Sequence, residues 1–212
     1  DIIDIAIDSL GLNEISPFNQ FESIIENRIA PKKRLVDMSN SDFIDEVSQE
    51  SPAPGGGSVS AQTGALAAAL IAMVANLSFG KKEYLKNNEV ILDIGNQAQF
   101  LKKELLILVD EDSNAFDKIM SAIRMPRKTE NQKEERDVAI TLATKHAIDM
   151  PFKTMELSML VLTLSKKIMK IGNKNSISDA GVASEMSFAA IKGAYMNVLI
   201  NLKDIYDDSY RD

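Results

Sequence analysis

The chain contains no cysteine and no tryptophan, a single histidine (His146) and six prolines in 212 residues. Without cysteine there can be no disulfide, no cysteine nucleophile, no iron–sulfur cluster and no thiolate zinc site. One histidine excludes His-rich metal sites and any His–His relay within one chain. The missing Trp and scarce Pro suit a helical chain better than a β-sandwich. Basic excess is also lacking: 24 Lys/Arg against 31 Asp/Glu leave a net charge of −7. That argues against a dedicated nucleic-acid binder, which usually carries a basic domain or stripe. The unbroken apolar run Ala65–Ala75 covers 11 residues, too few to span a bilayer, so no membrane role is expected. With 45% hydrophobic and 26% charged residues the composition is that of a soluble globular protein, and the length predicts one domain or two small ones. The first residue is Asp and no signal pattern opens the chain. The expectation is an intracellular, cytoplasmic protein trimmed or excised from something longer.

What is present is helical periodicity. Residues 1–12 read as one short helix stopped by Gly11, and 13–40, with Pro17, Pro31 and Lys32-Lys33-Arg34, as a connecting segment. Ser41 is a candidate N-cap for a short helix over 42–49. After the Gly/Pro-dense SPAPGGGS (51–58), the Ala-rich stretch Val59–Phe79 reads as a buried helix. Ile94, Ala98, Leu101, Leu105 and Leu108 step by 4, 3, 4 and 3, and Ala115, Ile119 and Ala122 continue the rhythm. This predicts an amphipathic helix of about ten turns over 88–124, ended by Met125-Pro126. The charged 127–136 reads as solvated. A further helix is expected from about 134 to 170, kinked or broken at Pro151, then a polar loop over 172–179 and a last helix over 180–204. Met73, Met155 and Met186 fall at helical spacing and read as core. With no alternating strand run, the fold class is all-α: a bundle of long antiparallel helices. The long Ala/Leu seam predicts a homodimer.

Three features can carry chemistry. Gly55-Gly56-Gly57-Ser58 immediately precedes a helix, where free N–H groups and the positive end of the helix dipole can face a ligand. It is not a nucleotide P-loop, because no Gly-Lys-Ser/Thr follows. The alternative is a flexible linker with Ser58 as N-cap. Secondly, the 4-3 stepping beyond Leu108 lands on Asp112, a carboxylate on a face otherwise committed to burial. Such a group must be paired or hydrogen-bonded, so it is either a working carboxylate or one held structurally by an Arg or a helix end. Asp110 points elsewhere but lies close enough to feel its charge. Thirdly, Arg124 ends the same helix, and Asn173, Asn175, Ser176, Ser178 and Asp179 crowd the polar loop; they can orient a planar, amide-bearing ligand or simply cap and solvate. His146 reads as a surface or interhelical residue.

The blocks SPAPGGGSVSAQTGALAAALIAMV, LVDEDSNAFDKIMSAIRMP, NKNSISDAGVA and GAYMNVLINLKDI, in that order over about 43–206, resemble the cyclodeaminase domain of formiminotransferase-cyclodeaminases. SLGLNEISPFN at 9–19 resembles the tail of the formiminotransferase half. The resemblance implies that residues 1–40 are that tail plus a linker and 41–212 a helical cyclodeaminase domain, whose partner in a parent protein would be the formiminotransferase domain. It further implies a dimer that converts 5-formiminotetrahydrofolate to 5,10-methenyltetrahydrofolate and ammonia, a step of histidine degradation. A related branch with the same fold hydrolyses the methenyl bridge instead, and a non-catalytic folate-binding or tethering module is a third reading.

By the same resemblance the catalytic aspartate, the second Asp of D-x-D-x-x-A-F, is Asp112. Gly55, Gly56, Gly57 and Ser58 would wall the folate site, and Asp110, Arg124, Asn175 and Asp179 would bind substrate. Lys82, with Lys81, would meet a polyglutamate tail. The expectation is no cofactor and no metal, with the tetrahydrofolate derivative as substrate. A buried carboxylate suits the cationic amidine of the substrate and the cationic methenyl product without any metal or redox group.

Overall fold

The structure is a computed structural model and describes residues 34–203, 205 and 210. The expected helix over 1–12 and most of the connecting segment lie outside these residues. The chain divides into two compact units, residues 1–38 and 39–212. In the first, the described part holds one 3-10 turn, Leu35–Asp37.

The described part of the second unit has five helices and no strand: α1 (Asn40–Val47), α2 (Gly56–Ser78), α3 (Asn88–Ile123), α4 (Glu130–Ile171) and α5 (Ile177–Leu202). The cap of α1 is Ser39 rather than Ser41, because it is the Ser39 hydroxyl that accepts from Asp42 N–H, at 3.1 Å. Helix α2 ends at Phe79, and Gly80 takes a left-handed φ of 70° to turn the chain, a conformation that favours glycine. A 3-10 segment, Lys82–Asn87, leads into α3. Its 36 residues make a rod about 54 Å long at 1.5 Å per residue.

The fourth helix starts earlier than its charge pattern implied. Thr129 and Gln132 form a capping box, in which the Thr129 hydroxyl accepts from Gln132 N–H and the Gln132 side chain accepts from Thr129 N–H. Those bonds draw residues 130–136 into the helix. Nor does Pro151 break it: α4 runs unbroken from Glu130 to Ile171. Proline removes one N–H from the ladder, which leaves the carbonyl four residues back, that of Ala147, without its partner. The Asn201 side chain fills that place, Nδ2 donating to Ala147 O at 3.0 Å. The expected polar loop at 172–179 is shorter than predicted, because a 3-10 turn at Lys174–Ser176 feeds straight into α5. Asp179 therefore lies in the first turn of a helix.

Helix α2 packs against α3, α4 and α5, and α4 bridges α3 and α5. Short connections make sequence neighbours antiparallel, and the registers agree. Along α2, Gly57 meets Asp112 of α3, Gly64 meets Leu105, and Ala75 meets Gly95, so the two helices run in opposite directions. On α5, Gly193 lies against Ser60 and Asn197 against Gly56. Glycine at these points lets backbones approach closely: a Cβ on Gly64 would sit 2.7 Å from the Ser158 hydroxyl and 3.2 Å from Leu105 Cδ2. The predicted α3 seam is core, with Ile94, Ala98, Leu101, Leu105, Leu108, Ala115 and Ala122 all buried. Each Ile or Leu there contributes about 1.5–3 kcal/mol.

That seam is consumed inside one chain, so it no longer supplies a reason to dimerise. Apolar surface is left over on each long helix; on α2, Val59, Leu66, Met73 and Leu77 are 36–48% exposed along one side. Met73, expected in the core, is among them. Helix α2 is long and apolar enough to cross a membrane by length and composition, but 61% of its most apolar stretch is buried inside the bundle. After α5, Ile205 packs with Ile148 and Val198. Tyr210 donates its hydroxyl to Asp149 Oδ1 at 2.9 Å, and burial together with that carboxylate pushes its phenol up to about 12.

Candidate active site

The site begins with a helix start that has no side chain to cap it. Gly55 is the N-cap of α2, in an extended conformation and without a side-chain acceptor for the first N–H groups. A helix N-terminus left this way carries unpaired donors and partial positive charge. Asp112, on α3, is the group that answers it. The Ser58 hydroxyl donates to Asp112 Oδ2 at 3.1 Å, and Ser58 N–H donates to the same carboxylate. Ser58 is thus not the N-cap: it is the third helical residue, fully buried, and its polar atoms face the neighbouring helix. Gly57 makes the approach possible, since a Cβ there would overlap the Asp112 carboxylate.

Two opposing effects act on Asp112. Burial disfavours the charged form and raises its pKa above the ordinary 3.8, while the two hydrogen bonds from Ser58 lower it; burial wins. The carboxylate therefore sits closer to neutrality than a solvated aspartate, as a group that must both take and return a proton requires. Beside it is a cavity of about 130 Å³, room for several waters. Gly55, Gly56, Gly57 and Asp112 form its polar side, Phe116 and Ile119 supply apolar wall, and Asn197 and Asn201 enter from α5.

The structure thus brings Gly55, Gly56, Gly57, Ser58 and Asp112 together. Asp110 is half-buried on α3 and does not line the cavity. Arg124 is the exposed C-cap of α3, 12 residues or about 18 Å along the axis from Asp112. Lys82, Asn175 and Asp179 gather at the other end of the bundle with Lys81, beyond Ser78, which lies 20 residues or about 30 Å along α2 from Ser58. There Asn173 N–H donates to Ser78 Oγ at 2.7 Å and Lys174 N–H to Tyr84 Oη at 3.2 Å. Within one chain this group cannot meet the Asp112 cavity.

Asn197 and Asn201 are cavity residues that the sequence reading passed over. The available signal was their i, i+4 spacing on a helix otherwise rich in Ala, Gly and Met. His146 is interhelical, its Nε2 3.0 Å from Lys118 Nζ. Among the described residues no three His, Asp or Glu side chains converge as a metal site.

Fold and site together define an all-helical bundle with a single carboxylate held beside a cavity at a glycine-collared helix start. A family model described as formiminotransferase-cyclodeaminase matches residues 39–212. The chain belongs to that family. It is 37% identical to the formimidoyltransferase-cyclodeaminase of Gallus gallus and 33% to that of Rattus norvegicus, over 99% of its own length and 39% of theirs. The chain thus spans about two fifths of these relatives. It is 34% identical to the methenyltetrahydrofolate cyclohydrolase of Methylorubrum extorquens over 80% of its length and 82% of that protein's. The crystal structure of formiminotetrahydrofolate cyclodeaminase from Thermotoga maritima superposes with a TM-score of 0.74 at 31% identity, covering 82% of this chain and 83% of that one.

Proposed function

We propose that this chain is a cyclodeaminase that closes 5-formiminotetrahydrofolate to 5,10-methenyltetrahydrofolate with loss of ammonia, and that Asp112 is its general base and then its acid. The observation that carries this reading is the carboxylate itself: half-buried, raised in pKa, and held by Ser58 against a helix start whose glycines leave space for a planar ligand. N10 attacks the amidine carbon and gives its proton to Asp112, leaving a neutral tetrahedral carbon between N5, N10 and the amino group. Asp112 returns that proton to the amino nitrogen, the C–N bond breaks, and ammonia leaves the methenyl cation behind. Charge is conserved, one positive charge on each side, and a buried carboxylate favours both cations.

The test is a near-ultraviolet time course of methenyl formation with ammonia assayed in parallel. Both should rise together with the wild type. Asp112→Asn should keep the helical circular dichroism and lower the rate by about 10²–10⁴-fold. A near wild-type rate in that variant would remove Asp112 from the mechanism. The second reading is methenyltetrahydrofolate cyclohydrolase, favoured by the near full-length match to the Methylorubrum extorquens protein of that name; hydrolysis of the methenyl compound with no ammonia from the formimino substrate would establish it.

The same reading gives a polyglutamylated folate as ligand, a formiminotransferase domain as partner in a parent protein, a cytoplasmic location and no cofactor. It also gives a homodimer, now on different grounds from the α3 seam. The exposed row Val59, Leu66, Met73 and Leu77 on α2, flanked by Val182, Met196 and Ile200 exposed on α5, is an apolar surface that a second copy would cover. Light scattering at micromolar concentration should return a dimer, and Leu66→Glu should shift it to monomer.

A further inference from the structure

The amides of Asn197 and Asn201 are held in fixed directions. Asn197 Nδ2 donates to the Gly193 carbonyl one turn back at 2.8 Å, and Asn201 Nδ2 donates to the Ala147 carbonyl of α4 at 3.0 Å. A carbonyl oxygen only accepts, so each amide must turn its NH2 group to the backbone. The second anchor has a cause in the sequence. Pro151 brings no N–H to α4, the carbonyl of Ala147 lacks its ladder partner, and Asn201 takes that position. With one Nδ2 hydrogen of each amide committed to a backbone carbonyl, Oδ1 is the end whose whole capacity is unspent, and among the described residues no donor reaches it. Both residues line the Asp112 cavity, Asn197 directly beside Gly56. The cavity is thus lined by a carboxylate and by two amides one helical turn apart whose oxygens are unspent.

We infer that Asn197 and Asn201 determine specificity, their two Oδ1 atoms reading the N–H groups of the formimino nitrogen and rejecting the isosteric 5-formyl folate, whose oxygen at the same place can only accept. This rests on the cyclodeaminase reading and extends it to the choice of substrate. Pro151 is then a positioning residue, acting through Ala147 and Asn201. A site built around a substrate N–H discriminates strongly against an analogue that lacks it, because its own polar groups are left unpaired. In a cavity partly open to water the expected discrimination is about a hundredfold.

The experiment compares KM for 5-formiminotetrahydrofolate with the inhibition constant of 5-formyltetrahydrofolate, in the wild type and in Asn197→Ala, Asn201→Ala, Asn201→Asp and Pro151→Ala. The wild type should show a ratio of about a hundred. Each Asn→Ala variant should raise KM by about tenfold with kcat little changed and the 5-formyl constant unmoved. Asn201→Asp keeps an acceptor but cannot donate to the Ala147 carbonyl, so it should lose discrimination as Asn201→Ala does, because the oxygen is no longer held. Pro151→Ala returns an N–H to the Ala147 carbonyl and should shift the ratio in the same direction as Asn201→Ala, with no further loss when the two are combined.

A wild-type ratio near one, or variants that weaken both folates equally, overturns the inference while leaving the cyclodeaminase reading intact. Absence of wild-type turnover overturns the reading of function instead, and the affinity ratio taken by equilibrium dialysis of the two folates then decides the inference by the same criteria.

Discussion

The two ends of helix α2 face the same problem, unpaired backbone groups at a helix terminus, and solve it with different chemistry. At the Gly56 end the donors are met by a carboxylate from a neighbouring helix, Asp112, with Ser58 binding it from both its N–H and its hydroxyl. At the Ser78 end everything is settled by neutral groups. Ser78 Oγ donates to Val74 O at 2.6 Å and accepts from Asn173 N–H at 2.7 Å, while Asn173 Nδ2 reaches Leu77 O at 3.3 Å. The positive end of a helix attracts an anion, and an anion from a side chain can titrate. The negative end is satisfied here by groups that hold their protons. One terminus therefore holds a titratable group and the other a neutral clasp, although both use serine and asparagine.

Substitutions at the two ends should separate activity from stability, and the largest effect on activity in this comparison is expected at Gly57. A Cβ there overlaps the Asp112 carboxylate, so Gly57→Ala must push Asp112 off Ser58 or push α2 and α3 apart. Activity should fall by at least about a hundredfold, with a loss of about 1–3 kcal/mol from overpacking. Gly55→Ala is the control, since its Cβ would lie 3.3 Å from Pro52 O in a loop that can yield. Equal damage from both variants would mean that the glycines serve the loop and not the carboxylate.

The next effect concerns pH. The folded pKa of Asp112 is raised by burial above the unfolded 3.8, so the native state holds a proton where the unfolded state has lost it. Stability from this group is full below about pH 3.8, falls as pH rises through the raised pKa, and is constant above it. Asp112→Asn has no such titration. Its stability advantage over the wild type, read from denaturant midpoints, should open across that window and then stay level. If Asp112 is the base of the proposed reaction, the acid limb of the pH–rate profile should follow its raised pKa, above the 3.8 of a solvated aspartate. An advantage that grows with falling pH would place the carboxylate in an environment that favours its charge.

Much of this was legible in the residues. Asp112 stood out because it interrupts a 4-3 apolar rhythm that α3 otherwise keeps from Ile94 to Ala122, and periodicity detects such an interruption without any knowledge of partners. The glycine run was legible as a helix start, but not what it accommodates, because the carboxylate against Gly57 comes from 55 positions later in the chain. The i, i+4 spacing of Asn197 and Asn201 was legible, but not which way their amides turn, for a similar reason. Their orientation depends on carbonyls, one of them released by a proline on another helix. Pro151 was noticed as a break or kink; the helix is not broken there, and packing against α5 supplies the missing hydrogen bond. Lys82, Asn175 and Asp179 were assigned to substrate binding through the family resemblance, whereas 20 residues of helix keep them about 30 Å from Asp112 in one chain.

The smallest effect on activity should come from the clasp. Ser78 is fully buried, and Ser78→Ala leaves Asn173 N–H without its acceptor. An unsatisfied buried donor costs about 1–3 kcal/mol, so the denaturant midpoint should fall while its slope is unchanged. At a temperature where both proteins are folded, kcat and KM should match the wild type. The clasp is separated from the Asp112 cavity by the length of α2, and the four-helix packing between them gives a local loosening at the Ser78 end no route to the carboxylate. If Ser78→Ala instead raises KM without lowering kcat, substrate is held by this end as well. Because the distance forbids that within one chain, the residues concerned would belong to a second copy, with its α2 laid antiparallel against the row Val59, Leu66, Met73 and Leu77.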